Sequence, residues 1–218
     1  MPPPVVLWRD AHLLVAVKPA GLLSVAGRGP EGQDCLHHRL LPRWPDARVV
    51  HRLDMGTSGL MLFACSDAAQ RRLSMAFERR QVDKRYVAVA DGHLAPADGD
   101  GGWGRIELPL GADWPARPRQ RVDHAHGKPS LTRWKVLAHG HLPDGRPVTR
   151  LLLAPVTGRS HQLRVHLAAI GHPLLGDPLY ASPAVEAAAP RLMLHASALA
   201  LPHPAVALRL ALDSRPPF

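Results

Sequence analysis

The stretch from Val49 to Ala64, Val-Val-His-Arg-Leu-Asp-Met-Gly-Thr-Ser-Gly-Leu-Met-Leu-Phe-Ala, constrains this chain more than any other. It sets charged and polar residues between two apolar runs, with Gly56 and Gly59 where the backbone would have to turn sharply. Asp54, preceded by Arg52 and followed by Gly-Thr-Ser-Gly, looks positioned rather than merely exposed. Taken alone, the same pattern fits an Asp that caps a turn through its own backbone. The rest of the chain has to decide between the two.

The 218 residues suffice for one large domain or two small lobes with a sizeable core. A net charge of +9 favours a polyanionic partner, because each Lys or Arg set against a phosphate releases counterions. Genomic bias toward Arg, Ala and Pro would produce a similar excess, so charge alone does not establish nucleic acid binding. Cys35 and Cys65 form neither a Cys-x-x-Cys pair nor a zinc spacing, which fits a reducing, cytoplasmic setting. The start, Met-Pro-Pro-Pro, shows no signal peptide, and no apolar run approaches a membrane span of about 20 residues.

In chain order, Val5 to Trp8 and His12 to Val17 read as two strands, the second ended by Lys18-Pro19-Ala20-Gly21-Leu22. Asp34 is placed to cap a short helix carrying Leu36 and Leu40. Ser66 is placed to cap a helix running through Gln81, with Ala69, Leu73, Ala76 and Phe77 as its buried stripe. Lys84 to Ala90 reads as a strand whose period of two puts Tyr86 with Ala88 and Ala90, leaving space over the Tyr ring. Gly92 to Gly104 is a connection between lobes or a surface excursion, and Ile106 to Leu110 a short strand.

The Trp114 to Arg121 segment spaces Arg117, Arg119 and Arg121 two apart, a pattern fit to grip an RNA backbone beside a stacking Trp, or simply to be a solvated basic loop. Lys128 to Leu137 and Val148 to Pro155 read as strands. Thr157 or Ser160 then starts a helix with Leu163, Leu167 and Ile170 on one face and Arg164 flanking it. Arg191 to Leu201 and Val206 to Asp213 are the last strands, the latter alternating Val206, Leu208, Leu210 and Leu212 on one face. The close pairs among the 14 histidines, His124 with His126, His139 with His141 and His161 with His166, match no metal motif. Neither a P-loop nor a dinucleotide fingerprint follows a strand. The expectation is chemistry without a cofactor or metal.

His51-Arg52-Leu53-Asp54 with Thr57-Ser58-Gly59-Leu60, Lys84-x-Tyr86, Gly158-Arg159-Ser160-His161-Gln162-Leu163-Arg164-Val165-His166, and Gly171-His172-Pro173 with Gly176-Asp177 together resemble the signatures of the RluA family of pseudouridine synthases. Lys18 to Leu22 and Leu194-His195-Ala196 match in the same order, so the resemblance covers nearly the whole chain. It implies an α+β fold, a mostly antiparallel mixed sheet split by a central active-site cleft and flanked by helices and loops. Residues 1–218 are then a single catalytic domain of two sub-lobes, without an N-terminal S4 domain, acting as a cytoplasmic monomer with no membrane partner.

The implied reaction converts uridine to pseudouridine in structured RNA, with a 23S rRNA hairpin and tRNA anticodon stem-loops as substrates. Substrate and product are isomers, so no redox cofactor is required. By resemblance Asp54 is the essential ionised carboxylate, adding to C1′ or abstracting the C2′ proton. Arg164 pairs with it, Tyr86 lies against the uracil, and Arg52 enters the stack as the nucleotide flips out. His51 and Thr57 complete the substrate-binding set as support for the loop, and Arg117 and Arg119 as backbone contacts. Two other classes stay open on the residues alone: a non-catalytic RNA-binding module or chaperone, which needs no such trio, and a metal-dependent hydrolase, which needs the His pairs.

Overall fold

A computed structural model describes residues 3–218, leaving Met1 and Pro2 of the expected leaderless start outside it. The chain forms two compact units, residues up to Lys84 with His195–Pro217, and Arg85–Leu194 with Phe218. In chain order the elements begin with β1 (Val5–Arg9), β2 (Leu13–Lys18), α1 (Leu36–Leu40), β3 (Arg48–Val49), β4 (Ser58–Ala64) and α2 (Asp67–Glu78). Then come β5 (Asp83–Asp91), β6 (Gly104–Glu107), β7 (Leu110–Ala112), β8 (Gln120–Val122), β9 (Leu131–His141) and β10 (Pro147–Pro155). The order closes with α3 (Gln162–Ala169), α4 (Pro183–Glu186), β11 (Leu194–Pro202) and β12 (Arg209–Asp213). None of the described helices is long and apolar enough to cross a membrane.

In the first unit β4 is central and every one of its residues is buried. It pairs antiparallel with β2 and β3 and parallel with β11, which in turn pairs antiparallel with β12. Alternation sends Leu60, Leu62 and Ala64 to a core shared with Leu13, Val15, Ala69 and Leu73, and Met61 and Phe63 to one with Leu14, Ala16, Leu36 and Leu40. A strand covered on both faces has to be apolar throughout, which is why the run from Leu60 carries no polar interruption. Gly56 has no positive φ, but Gly59 does (φ 113), and a Cβ there would lie 2.6 Å from the Ala196 nitrogen. Gly59 therefore serves the close parallel approach of β4 to β11 rather than a turn.

The Ser66 cap forms as expected, its Oγ accepting from Ala69 N at 3.2 Å. α2 nevertheless ends at Glu78, three residues short of Gln81, because Arg80 takes φ 58 and Arg80 N and Gln81 N bond back to Phe77 O and Ala76 O. That left-handed close satisfies the last carbonyls of the helix. The α1 cap differs in identity: Cys35 Sγ accepts from His38 N at 3.4 Å, while Asp34 forms a fork with Arg39, both bonds 2.7 Å. Ion pairing to Arg39 outcompetes capping for Asp34. Val206 and Leu208 are 57% and 53% exposed, so the last strand starts only at Arg209 and buries Leu210 alone among the alternating residues.

In the second unit β5, β10, β9 and β6 form an antiparallel sheet in that order. One face packs Ala88, Ala90, Leu151, Leu153 and Trp134 against Leu163 and Leu167 of α3. On the other, Val89 and Val148 meet Leu175 and Val185. The Gly92 to Gly104 segment lies inside this unit, so it is an excursion and not a connection between lobes. Ile106 to Leu110 is divided between β6 and β7, the latter making a hairpin with β8.

Candidate active site

Asp54 sits in the loop between β3 and β4, where its carbonyl accepts from Thr57 N at 3.1 Å to close a turn. The residues on either side of it are gripped by their backbones. Ser24, 3% exposed, donates through Oγ to Leu53 O at 2.7 Å and accepts from Leu53 N at 3.0 Å. Lys18 is fully buried at the end of β2 and its Nζ donates to Pro19 O (2.8 Å), Leu22 O (2.7 Å) and Met55 O (2.9 Å). Gly21, at φ 80, brings its N–H to the same Met55 carbonyl at 2.9 Å. A buried ammonium surrounded by carbonyl oxygens replaces its lost water with fixed dipoles and ties two loops together.

The side chains on this loop divide by exposure. Arg52 and Met55 face solvent and Asp54 is half-buried, whereas Leu53 and Thr57 are buried. His51 turns inward, stacking on Phe77 at 4.8 Å and accepting from Leu62 N at Nε2 (2.9 Å). Accepting there leaves the ring neutral, and burial together with the Lys84 charge holds its pKa down to about 4. His51 and Thr57 thus serve the loop from below, and Arg52, Asp54 and Met55 are what it presents.

In the second unit Tyr86 is half-buried on β5, on the face that carries Ala88 and Ala90. Arg164, 5% exposed on α3, makes a fork with Asp177: Nε to Oδ2 at 2.8 Å and Nη2 to Oδ1 at 2.6 Å. Asp177 is fully buried, and its Oδ1 also accepts from Leu179 N (2.9 Å) and Tyr180 N (3.2 Å). This bidentate pair fixes the guanidinium plane, which a Lys could not reproduce. The Tyr180 ring lies 5.0 Å from the Arg164 guanidinium carbon, and its hydroxyl accepts from Gln120 N (2.8 Å) and meets His161 Nδ1 (2.6 Å).

Neither Thr157 nor Ser160 caps α3. The N-cap is His161, at φ 53 and without a side-chain cap. The work passes to Gln162, whose Oε1 accepts from Thr157 Oγ1 (2.7 Å) and Arg159 N (3.1 Å) while Nε2 donates to Leu131 O and Thr132 Oγ1, both 3.0 Å. Arg119 stacks 5.6 Å from the Tyr180 ring, and Arg117 lies 3.5 Å from the 67% exposed Trp114. The basic loop and Arg164 therefore meet at one tyrosine, a link that chain spacing did not signal.

Asp54 with Arg52, His51 and Thr57 stands on one loop of the first unit, and Tyr86, Arg164, Arg117 and Arg119 belong to the second. The supports Lys18, Ser24, Asp177 and Tyr180 were not singled out by sequence reasoning. Lys18 and Asp177 stand inside the Lys18 to Leu22 and Gly176-Asp177 motifs, but nothing local marks a residue whose partner is distant in the chain. Among the described residues no group of three or more His, Cys, Asp or Glu is arranged to hold a metal ion, and His161 and His166 are hydrogen-bonded to protein atoms.

Comparison with known proteins gives this geometry a context. Residues 12–169 match the model of the RNA pseudouridylate synthase family. The chain is 47% identical over 201 residues to the dual-specificity RNA pseudouridine synthase RluA of Escherichia coli K12, covering 92% of this chain and 88% of that one. It is 42% identical over 213 residues to the protein of the same name from Haemophilus influenzae, covering 98% and 93%. Among solved structures, human RNA pseudouridylate synthase domain containing 1 superposes with a TM-score of 0.82 at 33% identity, over 99% of this chain and 84% of that one. With a family match that runs from β2 through α3, and so takes in the Asp54 loop, Tyr86 and Arg164, the chain belongs to the RNA pseudouridylate synthase family.

Proposed function

We propose that this protein isomerises uridine to pseudouridine in a 23S rRNA hairpin and in tRNA anticodon stem-loops, acting as a monomer and single catalytic domain in the cytoplasm. The dual specificity in the names of its relatives supports two RNA classes. The N1–C1′ bond breaks, the uracil turns, C5 bonds to C1′, and the C5 proton leaves while N1 regains one. Atoms balance without an oxidant or reductant.

Asp54 supplies the ionised carboxylate that acts at the sugar. Arg164 serves as its counter-ion, opposing the desolvation that would otherwise protonate it. Tyr86 lies against the uracil, with the small side chains of Ala88 and Ala90 beyond it. Arg52 fills the gap left by the flipped nucleotide, replacing part of a stacking loss of a few kcal/mol. Arg117 and Arg119 contact the RNA backbone.

The observation that carries this reading is the double grip on Leu53 and Met55, which holds the intervening Asp54 in place. A turn residue of no catalytic use would not require a buried Lys and a buried Ser on its two neighbours. The test is Asp54→Asn with uridine-5-tritiated RNA: tritium release stops while RNA binding persists. Continued release by that variant overturns the assignment, and a wild-type protein that binds the RNA without releasing tritium is an RNA-binding module.

A further inference from the structure

The tip of the β7–β8 hairpin carries Arg117 and Arg119 on a loop that closes on itself. Ala116 N donates to Asp113 O (3.2 Å), Arg119 N to Ala116 O (3.0 Å) and Asp113 N to Arg119 O (3.0 Å). At the foot of the same hairpin Asp123 N donates to Pro109 O at 2.9 Å. Gln120, opposite Ala112, falls between these bonded positions, and antiparallel alternation turns its N–H away from β7. Tyr180 takes that N–H, its hydroxyl accepting at 2.8 Å. Below the hairpin, His166 of α3 meets Leu108 O through Nε2 at 3.0 Å.

Tyr180 is itself fixed from the Arg164 side. Its N–H donates to Asp177 Oδ1 at 3.2 Å, the same oxygen that accepts from Arg164 Nη2 at 2.6 Å. Its ring centre lies 5.0 Å from the Arg164 guanidinium carbon and 5.6 Å from that of Arg119. The hydroxyl also meets Nδ1 of His161 at 2.6 Å, the residue that opens α3 in left-handed backbone (φ 53). A chain of fixed contacts thus runs from Arg164 through Asp177 and Tyr180 to the hairpin. A ring that only covered Arg164 would do so as a phenylalanine, and it is the hydroxyl that reaches Gln120.

We infer that Tyr180 is a positioning residue for uridine isomerisation: its hydroxyl sets where the loop bearing Arg117 and Arg119 stands relative to Arg164. RNA gripped by that loop then presents its uridine in register with the guanidinium, an inference that rests on the functional reading above. Attraction between arginine and phosphate carries most of the affinity and tolerates a small shift of the loop. The reacting atoms do not, since a misplacement of about 1 Å costs up to about 100-fold in rate. Loss of the hydroxyl therefore separates kcat from affinity.

The test is Tyr180→Phe, which keeps the ring against Arg164 and removes the hydroxyl alone. Backbone hydrogen exchange without RNA reads the link directly: the Gln120 amide should exchange about tenfold faster than in wild type. With a uridine-5-tritiated tRNA anticodon stem-loop we expect kcat about tenfold lower and affinity, by fluorescence anisotropy, within about twofold of wild type. Arg117→Gln with Arg119→Gln should weaken binding about tenfold and lower kcat about fivefold. Once Tyr180→Phe is present, the same pair should weaken binding as before but lower kcat less than about twofold further. Unchanged exchange at Gln120, an unchanged kcat, kcat and affinity falling together, or kcat losses that multiply would each overturn the positioning role. Wild-type protein that binds the RNA without releasing tritium strikes the functional reading instead, and Gln120 exchange then decides the link on its own. Should Tyr180→Phe unfold, Gln120→Pro removes the donor at the first position of β8, where proline is tolerated, and carries the same kinetic comparison.

Discussion

The Asp54 loop and the Arg164 helix solve one problem, holding a charged side chain still, by opposite means. Around Asp54 the grip is on main chain: Ser24 holds Leu53 and Lys18 holds Met55 through peptide groups that any residue would offer. Around Arg164 the grip is on the side chain itself, through the Asp177 fork and the Tyr180 ring. A main-chain grip leaves the gripped positions replaceable and concentrates the burden on the gripping residue. Side-chain pairing makes both partners indispensable.

The comparison is most exposed at Asp177. Asp177→Ala takes the bidentate partner away from the buried Arg164 guanidinium, for which we expect a loss of about 3–5 kcal/mol. Urea unfolding reads that loss, and kcat should fall by about 100-fold or more as the guanidinium swings. A variant with unchanged stability and kcat would show that the fork does not hold Arg164. Lys18→Met is next, removing a donor from Pro19 O, Leu22 O and Met55 O, of which Met55 O keeps Gly21 N, at about 1–3 kcal/mol for each carbonyl left dry. Since such losses do not add, we expect roughly 2–4 kcal/mol in all. Ser24→Ala removes one anchor and should lose about 1–2 kcal/mol with kcat down several-fold. By contrast Met55→Leu should leave stability within about 0.5 kcal/mol, because only its carbonyl is held. If Met55→Leu proved as damaging as Lys18→Met, the main-chain grip would be refuted.

The same contrast explains what could be read from the chain. Ser66 announces its cap because donor and acceptor are three residues apart, and the alternation of Tyr86 with Ala88 and Ala90 is a property of one strand. Asp54 and Arg164 were identifiable through motifs whose residues are contiguous. Lys18 to Met55 spans 37 residues and Arg164 to Asp177 spans 13, and no local pattern links such partners. Where local rules failed, a competing contact had won. Asp34 went to Arg39 and left capping to Cys35, and Gln162 took over the start of α3 from Thr157 and Ser160. Val206 and Leu208 fall in the turn that joins β11 to β12, closed by His203 N donating to Leu208 O at 2.8 Å, so period alone did not make a strand.

The smallest effect at neutral pH concerns the ring beneath the Asp54 loop. His51 is held near pKa 4 in the fold by burial and by Lys84, against an ordinary value of 6.5 in the unfolded chain. Below pH 6.5 the unfolded chain takes up a proton that the folded protein refuses until about pH 4. Stability contributed at this site therefore falls as pH drops from 6.5 toward 4, levels off below that, and is unaffected at pH 7 and above. The physical event is loss of the Nε2 acceptor, since a protonated ring cannot accept from Leu62 N. His51→Gln keeps an acceptor but does not titrate, so its Tm should decline less than wild type between pH 6.5 and 4. Parallel Tm profiles for the two proteins would place the acid sensitivity elsewhere, and would mean that His51 carries its proton without leaving the Phe77 stack.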